Sequence, residues 1–235
     1  MNAPWLRLEH VSYELSGKRL IDDLAHDFCS NEITVLLGPN GAGKSLTLRL
    51  CHGLITPTSG RVTWPGARPS GLRQAFVFQR PVLLRRSARA NVDFALAGHE
   101  PNRTRRRERA ARALERVGLL NQAEQPARTL SVGEQQRLAL ARSWALEPDV
   151  IFLDEPTASL DPAAVDQVER IIQAISTSGA KVVMTTHDLP QARRLAREVC
   201  FLHRGRLLES APSETFFDAP RTAEAASFIQ GRLFW

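Results

Sequence analysis

The chain has 235 residues, 43% of them hydrophobic and 24% charged, the balance of a soluble globular protein with length enough for a sizeable core. The amino terminus carries no charged start followed by an apolar stretch, and the longest apolar runs, such as residues 150–153, are far too short to span a bilayer. The expectation is a protein made and kept in the cytosol, which serves a membrane only by docking on another chain. A net charge of +6 points to an anionic partner (nucleotide, nucleic acid or lipid headgroup) without choosing among them. Cys29, Cys51 and Cys200 are scattered, with neither metal-ligand nor redox spacing, as expected of thiols in a reducing compartment.

In chain order, residues 5–13 alternate loosely and predict a strand, with a turn at Ser16-Gly17 and a second strand over 24–28. Ile33-Thr34-Val35-Leu36-Leu37 is a short continuous apolar run bounded by Gly38-Pro39, the pattern of a buried parallel strand. Leu46, Leu48, Leu50 and Leu54 fit a helix packed on it. Further strands are predicted over 61–64 and 75–78. From Ala88 to about Ala145 the chain is rich in Ala, Leu, Arg and Glu and predicts helix. The segment 103–116 holds seven arginines, first a solvated helix face and second a contact for headgroups or a partner. A buried strand returns at 150–153, a helix begins near Pro162, and a strand over 181–185 leads to a helix over about 189–196. A hairpin around Arg204-Gly205 joins strands at 199–202 and 206–209. The sum is an α/β core with a helical insertion and no internal repeat.

The strand ends carry the chemistry. Gly38-Pro39-Asn40-Gly41-Ala42-Gly43-Lys44-Ser45 fits G-x-x-x-x-G-K-[ST] between a buried strand and a helix. Glycines let successive N–H groups face one point, and the helix amino end adds its positive dipole, so together they cradle a phosphate. Lys44, one of only three lysines, neutralises β- and γ-phosphate charge, and the Ser45 hydroxyl suits Mg²⁺. Val150-Ile151-Phe152-Leu153-Asp154-Glu155 leaves two carboxylates at a strand's carboxyl end, where ligands bind in parallel sheets. Asp154 can hold Mg²⁺, directly or through water, and Glu155 can accept a proton from attacking water. His187 and Gln79 also follow predicted strands, the first where a γ-phosphate would lie and the second within reach of Mg²⁺ or water.

Leu130-Ser131-Val132-Gly133-Glu134-Gln135-Gln136-Arg137 resembles the signature motif of the ATP-binding cassette family, and the other motifs follow in that family's order over nearly the whole chain. The resemblance implies a phosphate-loop NTPase with a RecA-like core and mostly parallel sheet, an amino-terminal antiparallel β subdomain, and a helical subdomain inserted at about 88–147 of a single 1–235 domain. It implies that Tyr13 stacks on adenine, that residues 38–46, Leu46 included, bind ATP with Mg²⁺, and that Ser45, Gln79 and Asp154 surround the metal. Glu155, His187, Gln79 and Lys44 are then the catalytic set. Ser159-Leu160-Asp161 matches the segment that meets the partner subunit. Ser131, Gly133 and Glu134 act on the ATP of the other copy in a head-to-tail homodimer. Val132 and Glu134 stand where the family has glycine and often glutamine, and valine disfavours any positive φ the motif requires.

The same resemblance implies an ATPase subunit at the cytoplasmic face of the inner membrane, attached to integral-membrane permease subunits and indirectly to an extracytoplasmic substrate-binding protein. No nucleic acid is expected. Residues 80–86 are expected to meet the permease. Phe78-Gln79-Arg80-Pro81 through Val92 resembles bacterial oxyanion importers, tungstate first, then molybdate and phosphate. The end at Trp235 is expected to leave out the regulatory domain of some importers. The competing classes are an exporter or lipid-extraction ATPase, a soluble cassette ATPase acting on ribosome or DNA, and a nucleotide-binding module without turnover.

Overall fold

The computed structural model describes residues 3–65 and 72–232, in two compact units: Met1–Leu72 with Lys181–Trp235, and Arg73–Ala180. In the first, β1 (Leu6–Leu15) pairs antiparallel with β2 (Lys18–Phe28) and with β4 (Ser59–Thr63). Leu6 and Leu8 point inward two apart, as a pleat requires. A register shift between Leu8 and Val11, with His10 at φ 50°, then resets the alternation so that Val11 is buried as well. The β1–β2 turn is Ser16-Gly17 as expected, and β2 begins six residues before the predicted 24, because Lys18, Arg19, Asp22 and Asp23 break the apolar pattern around Leu20 and the buried Ile21.

β3 (Ile33–Leu37) is wholly buried and lies between two parallel neighbours, β7 (Lys181–Thr186) and β8 (Glu198–His203), while β9 (Arg206–Pro212) runs antiparallel to β8. Strands covered on both faces need no alternation, which is why apolar runs mark them. α1 (Lys44–His52) buries Leu48, Leu50 and Cys51 and ends at Gly53, whose φ of 84° closes the helix; Leu54 lies beyond that stop and is exposed. α6 (Leu189–Leu195) follows β7. Two short helices extend the chain past the expected hairpin, α7 (Ser213–Asp218) and α8 (Ala223–Ile229), and Phe216 and Phe228 bring their rings to 5.9 and 5.3 Å from Phe201 of β8.

In the second unit β5 (Gln74–Val77) and β6 (Val150–Asp154) are parallel neighbours. The helical stretch resolves into α2 (Ala88–Leu96), α3 (Arg103–Arg116) and α4 (Val132–Trp144), and α5 (Pro162–Thr177) follows β6. Ser87, Asn102 and Asp161 cap α2, α3 and α5 by accepting first-turn N–H groups. α4 packs on α2, α3, α5 and β5. On α3, Arg106 pairs with Asp93, Arg109 donates to the Ala145 carbonyl, and Arg116 lies over the Trp144 ring; Arg103, Arg105, Arg107 and Arg112 form the solvated face. Among the described residues no helix is long and apolar enough to cross a membrane.

Candidate nucleotide site and signature helix

Leu37 is the last residue of β3 and Lys44 the first of α1, so residues 38–43 form the strand-to-helix loop that the pattern requires. Gly43 caps α1 at φ 99°, and a Cβ there would meet Ile21 Cδ1 at 2.6 Å, so both conformation and space demand glycine. The first turn of α1 contains no acidic residue. Its amino end therefore stays electropositive, which fits a bound phosphate. The Lys44 ammonium is buried inside the loop and donates to the carbonyls of Gly38 (2.8 Å) and Pro39 (3.2 Å). Ser45 and Leu46 lie in the first turn, half-buried, and Asn40 and Gly41 form the exposed crown.

Around this loop the first unit places two more of the expected residues. Leu37 is paired with Thr186 across β3–β7, so His187, exposed at the next position, emerges at the same carboxyl edge as the phosphate loop. Tyr13 is half-buried on β1 opposite Ile21, the residue that backs Gly43. The loop is also propped from behind: the Gly205 N–H in the β8–β9 turn donates to the Ala42 carbonyl at 3.0 Å.

The second unit shows a matching edge. Val77 of β5 is paired with Leu153 of β6, so Gln79 and the Asp154-Glu155 pair leave adjacent strands at one end. Asp154 is buried. Glu155 holds φ at 43°, a left-handed conformation that costs a non-glycine residue about 1 kcal/mol or more and that clusters at functional sites.

Ser131, Gly133 and Glu134 open α4. The Ser131 hydroxyl accepts the Glu134 N–H at 3.3 Å, and the Glu134 carboxylate accepts both the N–H and the O–H of Ser131 at 2.8 Å. This reciprocal cap holds the Glu134 carboxyl below its usual range, first through the Ser131 N–H and then through the Ser131 hydroxyl. Val132 is the first helical residue, 61% exposed, and is not among the residues at positive φ, so the strain expected of a valine there does not arise. A Cβ on Gly133 would approach Ala164 Cβ of α5 to 2.9 Å, so glycine permits close helix packing. Ser131, Val132, Gly133 and Glu134 line one wall of an open concavity of ≈580 Å³, and Ser159, Leu160 and Asp161 line another. Ser159, at φ 65°, is a second strained residue.

Two positioning residues carry no motif. Asn91 of α2 is fully buried: it accepts the Leu84 N–H at 2.8 Å and donates to the Ser87 and Leu84 carbonyls at 3.0 and 3.3 Å. Arg142 of α4 donates to the Val82 carbonyl at 2.8 Å. Together they tie the segment after Gln79 to the helical layer and to the signature helix. The sequence signal for Asn91 was only a polar residue inside an apolar helix stretch.

The ABC transporter family profile matches residues 21–158. Phosphate import ATP-binding protein PstB 2 of Natronomonas pharaonis is 33% identical over 98% of this chain and 88% of its own. The glutamate/aspartate import ATP-binding protein GltL of Escherichia coli is 30% identical (95% and 98%), and the tungstate uptake ATP-binding protein TupC of Peptoclostridium acidaminophilum 32% (87% and 97%). Among solved structures, cbiO1 of Clostridium perfringens, part of the complex cbiONQ, superposes with a TM-score of 0.83 at 26% identity over 99% of this chain and 96% of that one. The dimeric post-hydrolysis state of the cassette MJ0796, bound to ADP and Pi, superposes with 0.78 at 26% identity over 88% and 98%. A phosphate loop after β3, paired carboxylates ending β6, a capped signature on α4 and a family match that spans all three lead to one conclusion: the chain belongs to the ABC transporter family and is an ATP-binding, ATP-hydrolysing subunit.

Proposed function

We propose that this chain is the ATPase of a bacterial importer, working as a head-to-tail homodimer bound to permease subunits at the cytoplasmic face of the inner membrane. The observation that carries the dimer is the exposed amino end of α4. Ser131, Val132 and Gly133 present the Glu134-capped amino end of a helix to solvent beside Ser159–Asp161, in a unit that has no phosphate loop of its own. A phosphate of a second copy would take the place of the Glu134 carboxylate on Ser131, and the dimeric cassette bound to ADP and Pi supports such an arrangement. Residues 88–147 act as the helical subdomain of the single cassette.

In each site Tyr13 stacks on adenine, residues 38–46 wrap the phosphates, and Ser45, Asp154 and Gln79 hold Mg²⁺. The ion, when bound by these residues, would supply positive charge against the charge that develops on the phosphoryl group. Glu155 takes a proton from the attacking water, a contribution of roughly 10²–10⁴-fold in rate. Lys44 and His187 hold charge on the transferred phosphoryl group, and Ser131 and Gly133 of the other copy close over it. Residues 80–87, held by Asn91 and Arg142, carry the movement to the permease.

Import is favoured by the three relatives, and an oxyanion by two of them. Tungstate is the first substrate to test, then phosphate and molybdate. The near-equal identity of a glutamate/aspartate relative fits a subunit that never touches the cargo.

The test is ATP hydrolysis with Mg²⁺ by the purified chain and by Glu155→Gln, with oligomeric state followed in ATP. The wild type turns over; the variant does not, and it accumulates as an ATP-bound dimer. A variant that hydrolyses ATP at the wild-type rate, or that binds ATP and stays monomeric, overturns the mechanism.

A further inference from the structure

The first unit holds a group of side chains that the ATPase chemistry does not use. His26 of β2 and Glu198 and Cys200 of β8 each offer one metal-ligating atom, and the three atoms lie within 4.8 Å of one another. Cys200 Sγ is 3.3 Å from His26 Nε2, and His26 Nε2 is 3.7 Å from Glu198 Oε1. A zinc ion at its usual distances, about 2.3 Å to sulfur and about 2.0–2.2 Å to nitrogen and oxygen, sets tetrahedral ligand atoms roughly 3.4–3.6 Å apart. The sulfur–nitrogen and nitrogen–oxygen separations are within a few tenths of an ångström of that, and the sulfur–oxygen separation is within 4.8 Å. A thiol–imidazole–carboxylate hydrogen-bond chain is the competing account of the same three side chains, and metal titration separates the two.

The surroundings are built. Ser210, paired with Cys200 across β8–β9, puts its Oγ 3.0 Å from Glu198 Oε1 and 3.7 Å from Cys200 Sγ, at the fourth side. Thr34 Oγ1 lies 3.5 Å from the other Glu198 oxygen and can donate to it. The His26 ring meets Phe28 edge-on at 4.5 Å. Leu8, Leu24, Leu36 and Thr47 close the apolar side, and the buried Thr47 Oγ1 has no hydrogen-bond partner there. Cys200 is 1% exposed, while the Glu198 side chain, 21% exposed, leaves a way in.

We propose that His26, Glu198 and Cys200 bind one zinc ion, with Ser210 or water as fourth ligand. One sulfur, one imidazole nitrogen and one carboxylate oxygen select zinc over the hard cations Mg²⁺ and Ca²⁺. Binding expels the Cys200 thiol proton to water as the Zn–S bond forms. The ion ties the antiparallel sheet to β8 directly behind the phosphate loop: Cys200 pairs with Leu36, two residues before Gly38, and the Leu202 carbonyl packs against Gly38.

The test uses the purified full chain, free of nucleotide and stripped of metal, titrated calorimetrically with Zn²⁺ and spectroscopically with Co²⁺. The wild type takes up one Zn²⁺ per chain, gives a thiolate-to-cobalt charge-transfer band, and unfolds at a higher temperature with zinc. Cys200→Ser loses the band, and His26→Gln and Glu198→Gln each bind roughly tenfold or more weakly. Cys29→Ser behaves as the wild type. Zinc uptake no stronger in the wild type than in His26→Gln, or a cobalt band that survives Cys200→Ser, overturns the proposal. The His26→Gln comparison leaves the thiol intact, so it decides the matter even if Cys200→Ser fails to fold.

Discussion

The β8–β9 turn is expected to set the shape of the phosphate loop, and a matched pair of substitutions isolates that effect. Ser16-Gly17 and Arg204-Gly205 are both two-residue hairpin turns with positive φ at both positions, 52° and 76° in the first, 49° and 79° in the second. Alanine at either glycine suffers the same left-handed penalty, about 1 kcal/mol. At Gly17 a new Cβ meets nothing within 4 Å, whereas at Gly205 it would lie 2.5 Å from the Leu20 carbonyl oxygen and 3.1 Å from its carbon. Backbone cannot swing aside like a side-chain tip, so overpacking adds about 1–3 kcal/mol at Gly205 only. Each kcal/mol is worth roughly 2–4 °C in a chain of this size. Gly17→Ala should therefore lower the unfolding temperature by a few degrees and Gly205→Ala by clearly more. The displaced turn also carries the Gly205 N–H that holds the Ala42 carbonyl. Losing that bond, worth about 0.5–1.5 kcal/mol, weakens nucleotide binding by roughly 2–10-fold if the loop feels all of it. Thermal unfolding and titration with a fluorescent ATP analogue read both effects. Equal stability of the two variants, or equal nucleotide affinity, would refute the reasoning.

Asn91→Ala should cost about 1–3 kcal/mol, because it strips the part-buried Leu84 N–H of its acceptor and the Ser87 carbonyl of its donor. Intrinsic ATPase activity of the isolated chain should survive while stimulation by a permease falls; a variant as stable as the wild type contradicts the assigned role. The Glu134 cap predicts a pH effect. Its carboxyl is held below the ordinary 4.5, so its contribution is fully present above 4.5 and is lost as pH falls through the lower folded value. Glu134→Gln keeps a side-chain oxygen for the cap but does not titrate, so the wild type's stability advantage should shrink on acidification below 4.5. A difference that stays constant across that window in parallel thermal melts speaks against the cap.

Much of the fold was legible because its decisive segments are one-dimensional signals. β3 was bounded to the residue, and β6 and β7 to within one, since strands buried on both faces appear as unbroken apolar runs. The start of β2 is not legible because Lys18, Arg19, Asp22 and Asp23 flank its single buried residue there, Ile21, and leave no alternating apolar run. α7 and α8 carry no apolar period of their own in the sequence, and their place comes from Phe216 and Phe228 meeting Phe201. In the site the contiguous motifs were legible. Asn91 and Arg142 were not, because each acts on backbone carbonyls or N–H groups of a loop, atoms that every residue has. His26 and Cys200 lie 174 positions apart, and no spacing rule reaches that far.

Glu155 is one of seven non-glycine residues at positive φ among the described residues, so its conformation alone does not make it the proposed base; its place at the end of β6 gives the conformation its interest. An acidic residue after β6 needs no positive φ to remain solvated. A conformation of φ 43° persists only where its surroundings over-determine it. In the same unit Ser159, four residues on, is held at φ 65°, on the wall that faces the capped end of α4 across the ≈580 Å³ concavity. Two strained residues thus bracket the turn between β6 and α5, one bearing the proposed base and the other facing the proposed partner's nucleotide. In the proposed head-to-tail dimer, closure against the second copy would bear on that turn from the Ser159 side. The turn also carries Glu155, so on that proposal pairing of the two copies and placement of the base would be coupled.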